Sequence, residues 1–324
     1  MRHEPPIALL YLGTYLKQYG YEVEILDLKL NEMPWNRIAN GGFSTIGFTV
    51  LVGEFLHRAG KLTAKIKSMT NTPVIWGGAL PTVLPDDCRR EYGPDVVVVG
   101  DGEVALRKTL EGGCPKGSVI APRLENPPVP DWSLLPISKE QRPYYFHIMS
   151  SRGCPSRCSF CYHRGRDLKW RGRPVNHIVS ELESIHDMTG ATVFTFGDDN
   201  FFADRKRGIA IFDYIRERGW YVEQFCAHAN LLTDEVIDAI SGVAQSVFFA
   251  IESANPRLLK LCNKRLNLND VYRLNSKLYE RGITTIHTFI FGLPTETQAD
   301  RDRNWEMMDG LREINPFVRG HAHL

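Results

Sequence analysis

Ser151-Arg152-Gly153-Cys154-Pro155-Ser156-Arg157-Cys158-Ser159-Phe160-Cys161-Tyr162 is the stretch on which the reading of this chain turns. Three of the seven cysteines lie here, at gaps of four and three, while Cys88, Cys114, Cys226 and Cys262 are scattered singly. Thiols this close in a reducing compartment read as metal ligands before they read as disulfide partners. Gly153 and Pro155 shape the turn, and thiolates are the usual protein ligands of iron–sulfur clusters. Three ligands on a four-iron cluster would leave one iron open to another molecule, and Arg152 and Arg157 would offset the negative charge. His163 lies two residues past Cys161 and keeps a second reading open, a closed tetrahedral zinc site. Zinc loops, however, usually sit on small ligand-dense modules, whereas this loop follows a strand of a long βα repeat.

Working outward from the loop, strand patterns are expected at residues 144–150, 192–196, 221–227, 246–251, 284–291 and 317–324. Helical patterns fall between them at residues 178–188, 209–218, 234–240, 271–281 and 300–314. Six strands in this order predict a partial (β/α)6 barrel, whose chemistry belongs at the carboxyl ends of its strands. The cysteine loop follows the first of them.

Upstream, Pro122, Pro127, Pro128, Pro130 and Pro136 crowd into a short stretch that reads as a linker over residues 122–143. Before it, βα alternation predicts a doubly wound, Rossmann-like α/β domain over residues 1–121. Leu9, Leu12, Leu16 and Tyr19 recur at helical spacing between Pro5-Pro6 and Gly20, and Tyr21, Val23 and Ile25 alternate as a strand. A further strand is expected at 45–51, a helix at 55–69, and short strands at 73–76 and 95–99. The last two end in Gly77-Gly78 and Gly100-Asp101-Gly102-Glu103, where glycines let a ligand approach the backbone. A helix opens the chain and a strand closes it, so both domains are expected to continue beyond the 324 residues.

Composition sets the frame. The formal net charge of +1 provides no field to gather nucleic acid or an acidic membrane. With 43% hydrophobic residues the chain can bury a core, and no apolar run nears the ~18 residues of a membrane span. The opening MRHEPPIALL lacks the order of a secretory signal, so a soluble, cytoplasmic protein is expected.

The cysteine stretch, with its C-x3-C-x2-C spacing and the aromatic Phe160 before the third cysteine, resembles the loop of radical S-adenosylmethionine (SAM) enzymes. Residues 194–201 (FTFGDDNF), the FAIES segment ending at Ser253 with Asn263-Lys264, and the FIFGLPTET segment ending at Thr297 resemble later motifs of the cobalamin-binding branch. The first half resembles the cobalamin-binding domain often fused to such barrels, placing the radical SAM region at 144–324. The resemblance implies that Cys154, Cys158 and Cys161 hold a 4Fe–4S cluster whose open iron binds the amino and carboxylate groups of SAM. One-electron cleavage of the sulfonium would then yield a 5′-deoxyadenosyl radical that abstracts hydrogen from an unactivated carbon. It also implies that Phe160 lies near the adenine, and that Gly197 with Asp198 or Asp199 receives the methionine ammonium group. Glu252 and Ser253 would contact SAM, and Gly77, Gly78, Thr82, Gly100 and Gly102 would surround the cobalamin nucleotide tail.

The activity so implied is cobalamin-dependent C-methylation or oxidative cyclisation of a small-molecule substrate, fed by an electron donor such as flavodoxin or ferredoxin. Two alternatives stand beside it: a cobalamin-free radical SAM enzyme with a vestigial Rossmann domain, and a non-enzymatic zinc or iron–sulfur binding protein. A methylthio-transferring relative is disfavoured, because the first half offers only Cys88 and Cys114 toward a second cysteine trio. Among other residues, His228 could face the site, Cys226 and Cys262 read as packing, and Arg164, Arg166, Lys169, Arg171 and Arg173 read as a solvated basic face. His321 and His323 alternate on the last strand, so one of them would point into the barrel.

Overall fold

Two α/β units make up the chain, residues 3–137 and 138–324, in a computed structural model that describes residues 3–120, 122–140, 145–161 and 169–323. In the first unit, α1 (Ile7–Gln18) starts after Pro5-Pro6, and the chain turns away where Gly20 takes a φ of +83°. There follow α2 (Trp35–Ala39), β1 (Ile46–Thr49), α3 (Glu54–Met69), β2 (Val74–Gly77), α4 (Ala79–Val83), α5 (Pro85–Tyr92), β3 (Val96–Val99), α6 (Gly102–Glu111) and β4 (Gly117–Ile120). Among the described residues the strands form a four-stranded parallel sheet in the order β1-β2-β3-β4. Val74 and Trp76 pack with Ala59 and Ile66 of α3 and Cys88 of α5, whereas Ile75, Val96 and Val98 pack with Ala105 of α6. Alternate residues of the same strand therefore meet helices on opposite faces, the three-layer arrangement of a doubly wound domain.

Two details depart from the pattern read in the sequence. Residues 21–27 alternate in exposure but join no ladder. Their apolar side serves α1 instead: a Cβ on Gly13 would lie 3.3 Å from both Val23 and Ile25. The proline-rich stretch up to residue 137 is packed within the first unit rather than strung out. Trp132 is fully buried, the Asp131 amide donates to Thr14 Oγ1 at 2.8 Å, and Lys17 pairs with Asp131 at 2.6 Å.

The second unit runs β5 (His147–Ile148), β6 (Ser151–Arg152), β7 (Arg171–Gly172), α7 (Val175–Thr189), β8 (Val193–Phe196), α8 (Arg205–Glu217), β9 (Tyr221–Cys226), α9 (Asp234–Ile240) and β10 (Ala244–Phe248). It continues with α10 (Pro256–Leu261), α11 (Leu268–Glu280), β11 (Thr284–Ile290), α12 (Gln298–Ile314) and β12 (Arg319–His323). Among the described residues, six parallel strands form one open sheet in the order β12-β11-β10-β9-β8-β5, a partial barrel. Caps fix where several helices start: Asp204 Oδ1 accepts from the Arg207 amide, and Thr297 and Asp300 form a capping box on α12. Phe201, Phe202, Phe212 and Phe225 interlock with ring centroids 5.1–5.8 Å apart and weld α8 to β9. Burial of each such side chain contributes about 2–3 kcal/mol. The first barrel strand is shorter than the expected 144–150, because the chain leaves it to pair β6 with β7 as a small antiparallel ladder. The cysteine loop hangs from that ladder.

Candidate functional site

Gly153 takes a φ of +78°, which turns the chain out of β6 and into the cysteines. The far side of the loop is fastened to the end of α10. The Ser159 amide donates to the Cys262 carbonyl at 2.9 Å, Ser159 Oγ donates to Leu261 O at 3.0 Å, and Asn263 Nδ2 donates to Arg157 O at 2.7 Å. Cys154, Cys158 and Cys161 are all half-buried, and none is in a disulfide. Burial pushes the Cys158 thiol up; Glu252 and the other two thiols add to this, and the Lys264 ammonium opposes it. The Cys158 thiol thus feels the other two thiols and the Lys264 cation. Phe160 stands 46% exposed beside them. His163, Arg164 and Arg166 lie outside the described residues. Arg173, in contrast to the solvated face expected of it, is 2% exposed and ion-paired to the fully buried Glu181.

At the end of β8, Gly197 is required by crowding: a Cβ there would lie 2.2 Å from His147 Nε2 and 2.8 Å from Met149 Sδ. The two aspartates that follow point to different surroundings. Asp198 is 2% exposed and accepts from the Ser150 amide at 2.9 Å, from Ser150 Oγ at 2.7 Å and from Ser151 Oγ. Asp199 is exposed, and its carbonyl accepts from Cys226 Sγ at 3.6 Å. The start of α8 is capped by Asp204, not by either of them.

At the ends of the next strands, burial together with the Asp199 charge pushes the Cys226 thiol up to about 12. His228 Nδ1 accepts from the Asn230 amide, and burial and Lys264 bring its imidazole down to about 4. Glu252 is 5% exposed, sits at a φ of +72°, and takes an ion pair from Lys264 at 3.1 Å. Ser253 is fully buried; its hydroxyl donates to Asn304 Oδ1 and accepts from the Asn255 amide. Cys262 packs with Leu258 and Leu293, as a core residue does. In the sequence Lys264 stands out only within the Asn263-Lys264 motif, although a buried acid such as Glu252 demands a partner. His147, Glu181 and Arg207 carry no signal in the sequence, and Arg173 carries only that of a basic run.

In the first unit, the candidate cobalamin residues lie at the carboxyl edge of β2 and β3. Gly78, at a φ of +103°, has no room for a Cβ, which would meet Thr49 Oγ1 and Val50 N and O at 3.0 Å. Val50 N donates to Gly77 O at 2.8 Å, and the buried Thr82 hydroxyl accepts from the Gly100 amide at 3.1 Å. Gly100, at a φ of +90°, is open around the missing Cβ. Gly102 instead packs on Leu12, 2.7 Å from its missing Cβ, and joins α6 to α1. Leu51 and Val52 follow β1, and Val83 and Leu84 close α4 after β2, each of the four at least 45% exposed. Bare glycine backbone with exposed apolar neighbours fits a large, apolar-faced cofactor.

Three half-buried thiols on one loop, with a lysine among them, fit an iron–sulfur cluster. Among the described residues no three His, Cys, Asp or Glu side chains converge on a single metal ion. A cubane makes no such demand, since each thiolate takes a different iron.

The Radical SAM superfamily family model matches residues 148–306, and that of the B12 binding domain matches residues 3–110. An uncharacterized methyltransferase, PH0819, of Pyrococcus horikoshii is 26% identical over 91% of this chain and 71% of its own. The anaerobic magnesium-protoporphyrin IX monomethyl ester cyclase of Rubrivivax gelatinosus is 24% identical over 98% of this chain and 64% of its own. In fold, the chain is similar to the radical SAM methyltransferase TsrM of Kitasatospora setae, solved with cobalamin and a [4Fe–4S] cluster. The TM-score is 0.79 at 20% identity, over 99% of this chain and 70% of that one. With the two family models falling on the two units in this order, the chain carries a B12 binding domain followed by a domain of the radical SAM superfamily.

Proposed function

We propose that this protein is a cobalamin-dependent radical SAM enzyme that transfers a methyl group to an unactivated carbon of a small molecule. The observation that carries this reading is the placement of the cysteine loop after the first strand of the open parallel sheet, with Asp199, His228 and the Glu252–Lys264 pair following the next strands. Loaded with a [4Fe–4S] cluster, SAM and cobalamin, such a site combines one-electron cleavage of a sulfonium with a methyl carrier. Cys154, Cys158 and Cys161 hold the cluster. Asp199, the exposed acid at the end of β8, accepts hydrogen bonds from the SAM ammonium group. Lys264 and Glu252 offer one charge of each sign to its other polar groups, Phe160 flanks the adenine, and Gly197 keeps the strand end clear. Gly77, Gly78, Thr82 and Gly100 form the edge that receives the cobalamin tail, with Gly102 holding α6 in place behind them.

Oxidative cyclisation is the second reading, favoured by the cyclase among the relatives. A flavodoxin or ferredoxin supplies the electron. The enzyme works in the cytoplasm; among the described residues no helix is long and apolar enough to cross a membrane.

The test is anaerobic. After reconstitution with iron and sulfide, we expect about four irons per chain with charge-transfer absorbance, and 5′-deoxyadenosine once SAM and a reductant are added. Methyl-labelled SAM then separates transfer from cyclisation. Uptake of zinc without iron would overturn the reading.

A further inference from the structure

The cysteine loop leaves the barrel after Ser150-Ser151 and returns at residues 171–173, and both ends are gripped by one polar network. Ser151 pairs with Gly172 across the β6–β7 ladder, and the Arg173 amide donates to Ser150 O at 2.9 Å. Arg173 Nη1 donates to Met149 O at 3.0 Å and to Glu181 Oε2 at 2.5 Å. Arg207 reaches across from α8, donating through Nε to Arg173 O at 2.7 Å and through Nη2 to Ser150 O. Asp198 closes the network, with the Ser150 amide on Oδ2 and the hydroxyls of Ser150 and Ser151 on Oδ1. Ser150, Ser151, Arg173, Glu181 and Asp198 are each at most 2% exposed.

A carboxylate has about four acceptor sites. In Asp198 three are occupied from within the protein and no face is open. The acid cannot take an ammonium group from a bound molecule without releasing the serines. Its neighbour Asp199 is exposed. The two adjacent acids have divided the work: one faces inward to the loop, the other outward to the site.

We propose that Asp198 is a positioning residue that sets the spacing of the three cysteines by holding the outgoing end of their loop, Ser150-Ser151, to which the Arg173 amide and Arg207 tie the returning end. This rests on the reading of Cys154, Cys158 and Cys161 as cluster ligands. Ligands on a loop are only as well placed as its supports, and loss of a supporting contact behind a metal ligand typically weakens retention about 10–100-fold.

The experiment compares full-length wild type, Asp198→Asn, Ser151→Ala and Asp199→Asn by three measurements. These are alkylation rates of the three thiols in the iron-free protein, loss of iron to a chelator after reconstitution, and SAM affinity of the cluster-bearing fraction. Asp198→Asn and Ser151→Ala are expected to speed alkylation and iron loss about tenfold, with SAM affinity within about threefold of wild type. Asp199→Asn is expected to do the reverse. Ser151→Ala removes one hydroxyl and guards against a misfolded Asp198 variant, foldedness being read from the melting temperature. If Asp198→Asn keeps wild-type thiol protection and iron retention but loses SAM binding, Asp198 is a SAM ligand and the proposal is overturned. If wild type takes up no iron, the functional reading fails, while the alkylation rates still decide whether the network holds the loop.

Discussion

Glu252 joins two features that rarely meet in one residue. Its backbone lies in the left-handed region at a φ of +72°, which costs a non-glycine residue about 1–2 kcal/mol. Its carboxylate is buried against Lys264, the two side chains being 7% and 8% exposed. The surrounding ladder enforces the backbone: Glu252 N donates to Thr288 O, and Ile290 N donates to Glu252 O, both at 2.9 Å. Breaking a buried pair leaves one uncompensated charge, which destabilises by about 3–5 kcal/mol, whereas removing both charges is often nearly neutral. Glu252→Ala and Lys264→Met are each expected to lower the unfolding free energy by about 3 kcal/mol in urea denaturation, and the double variant to recover most of that loss. SAM affinity should not recover in the double variant if the pair serves the cofactor. A double variant that regains both would assign the pair to stability alone. At this scale the sequence conveys a demand without its answer. An acid closing the apolar run Val247, Phe248, Phe249 and Ile251 must be satisfied, yet nothing local names Lys264. Asp198 and Asp199 are chemically identical in sequence, and only the serines that follow the adjacent strand β5 tell them apart.

Strand ends and strand faces set the next level. Gly197 ends β8 where any side chain would displace His147 and Met149, so Gly197→Ala pushes the end of β5 aside and with it the root of the cysteine loop. Reconstituted Gly197→Ala is expected to hold under half the wild-type iron at a melting temperature within a few degrees of wild type. A large fall in melting temperature would instead mark Gly197 as a packing residue. On β11, Thr285 donates to Asn275 of α11, and His287 lies two residues along on the same face, fully buried with its ring 4.4 Å from Phe249. Burial brings its imidazole down from 6.5 to about 4, so between those values the unfolded chain binds a proton that the folded chain does not. Stability therefore falls as pH drops from 6.5 toward 4, by on the order of 3 kcal/mol in full. His287→Leu is expected to flatten that limb of a melting-temperature profile, and an unchanged slope would assign it to other groups.

Helices and barrel strands were legible because they announce themselves by period and cap. Asp234–Ile240 is found where it was expected, and α12, expected from residue 300, begins two residues earlier at Gln298 behind the Thr297 cap. Two-residue strands such as β6 and β7 carry no period and went unread. Residues 21–27 alternate for a reason other than pairing, since their apolar side packs on α1. The prolines before residue 137 exclude regular structure, but they do not exclude packing, and Trp132 is the residue that packs.

On the scale of the whole molecule, the candidate cofactor residues divide cleanly between the two units. All three cysteines, Asp199, Glu252 and Lys264 lie in residues 138–324, and Gly77, Gly78, Thr82 and Gly100 lie in residues 3–137. Each unit has its own sheet and its own buried apolar clusters, so damage to one binding edge need not propagate to the other. Gly78→Ala places a methyl group 3.0 Å from Thr49 Oγ1 and Val50 N and O at a φ that disfavours any Cβ, and so displaces the backbone edge proposed for cobalamin. Cys158→Ala removes one thiolate and leaves that edge untouched. With both variants loaded anaerobically, cobalt and iron are counted separately by elemental analysis. Gly78→Ala is expected to lose at least about tenfold in cobalamin affinity, since the tail can no longer approach the backbone, and to keep its full iron. Cys158→Ala is expected to lose the cluster's charge-transfer absorbance and to keep its cobalamin. Loss of both metals in either single variant would show that the two sites are built cooperatively, and that the division of labour read from the two sheets is wrong.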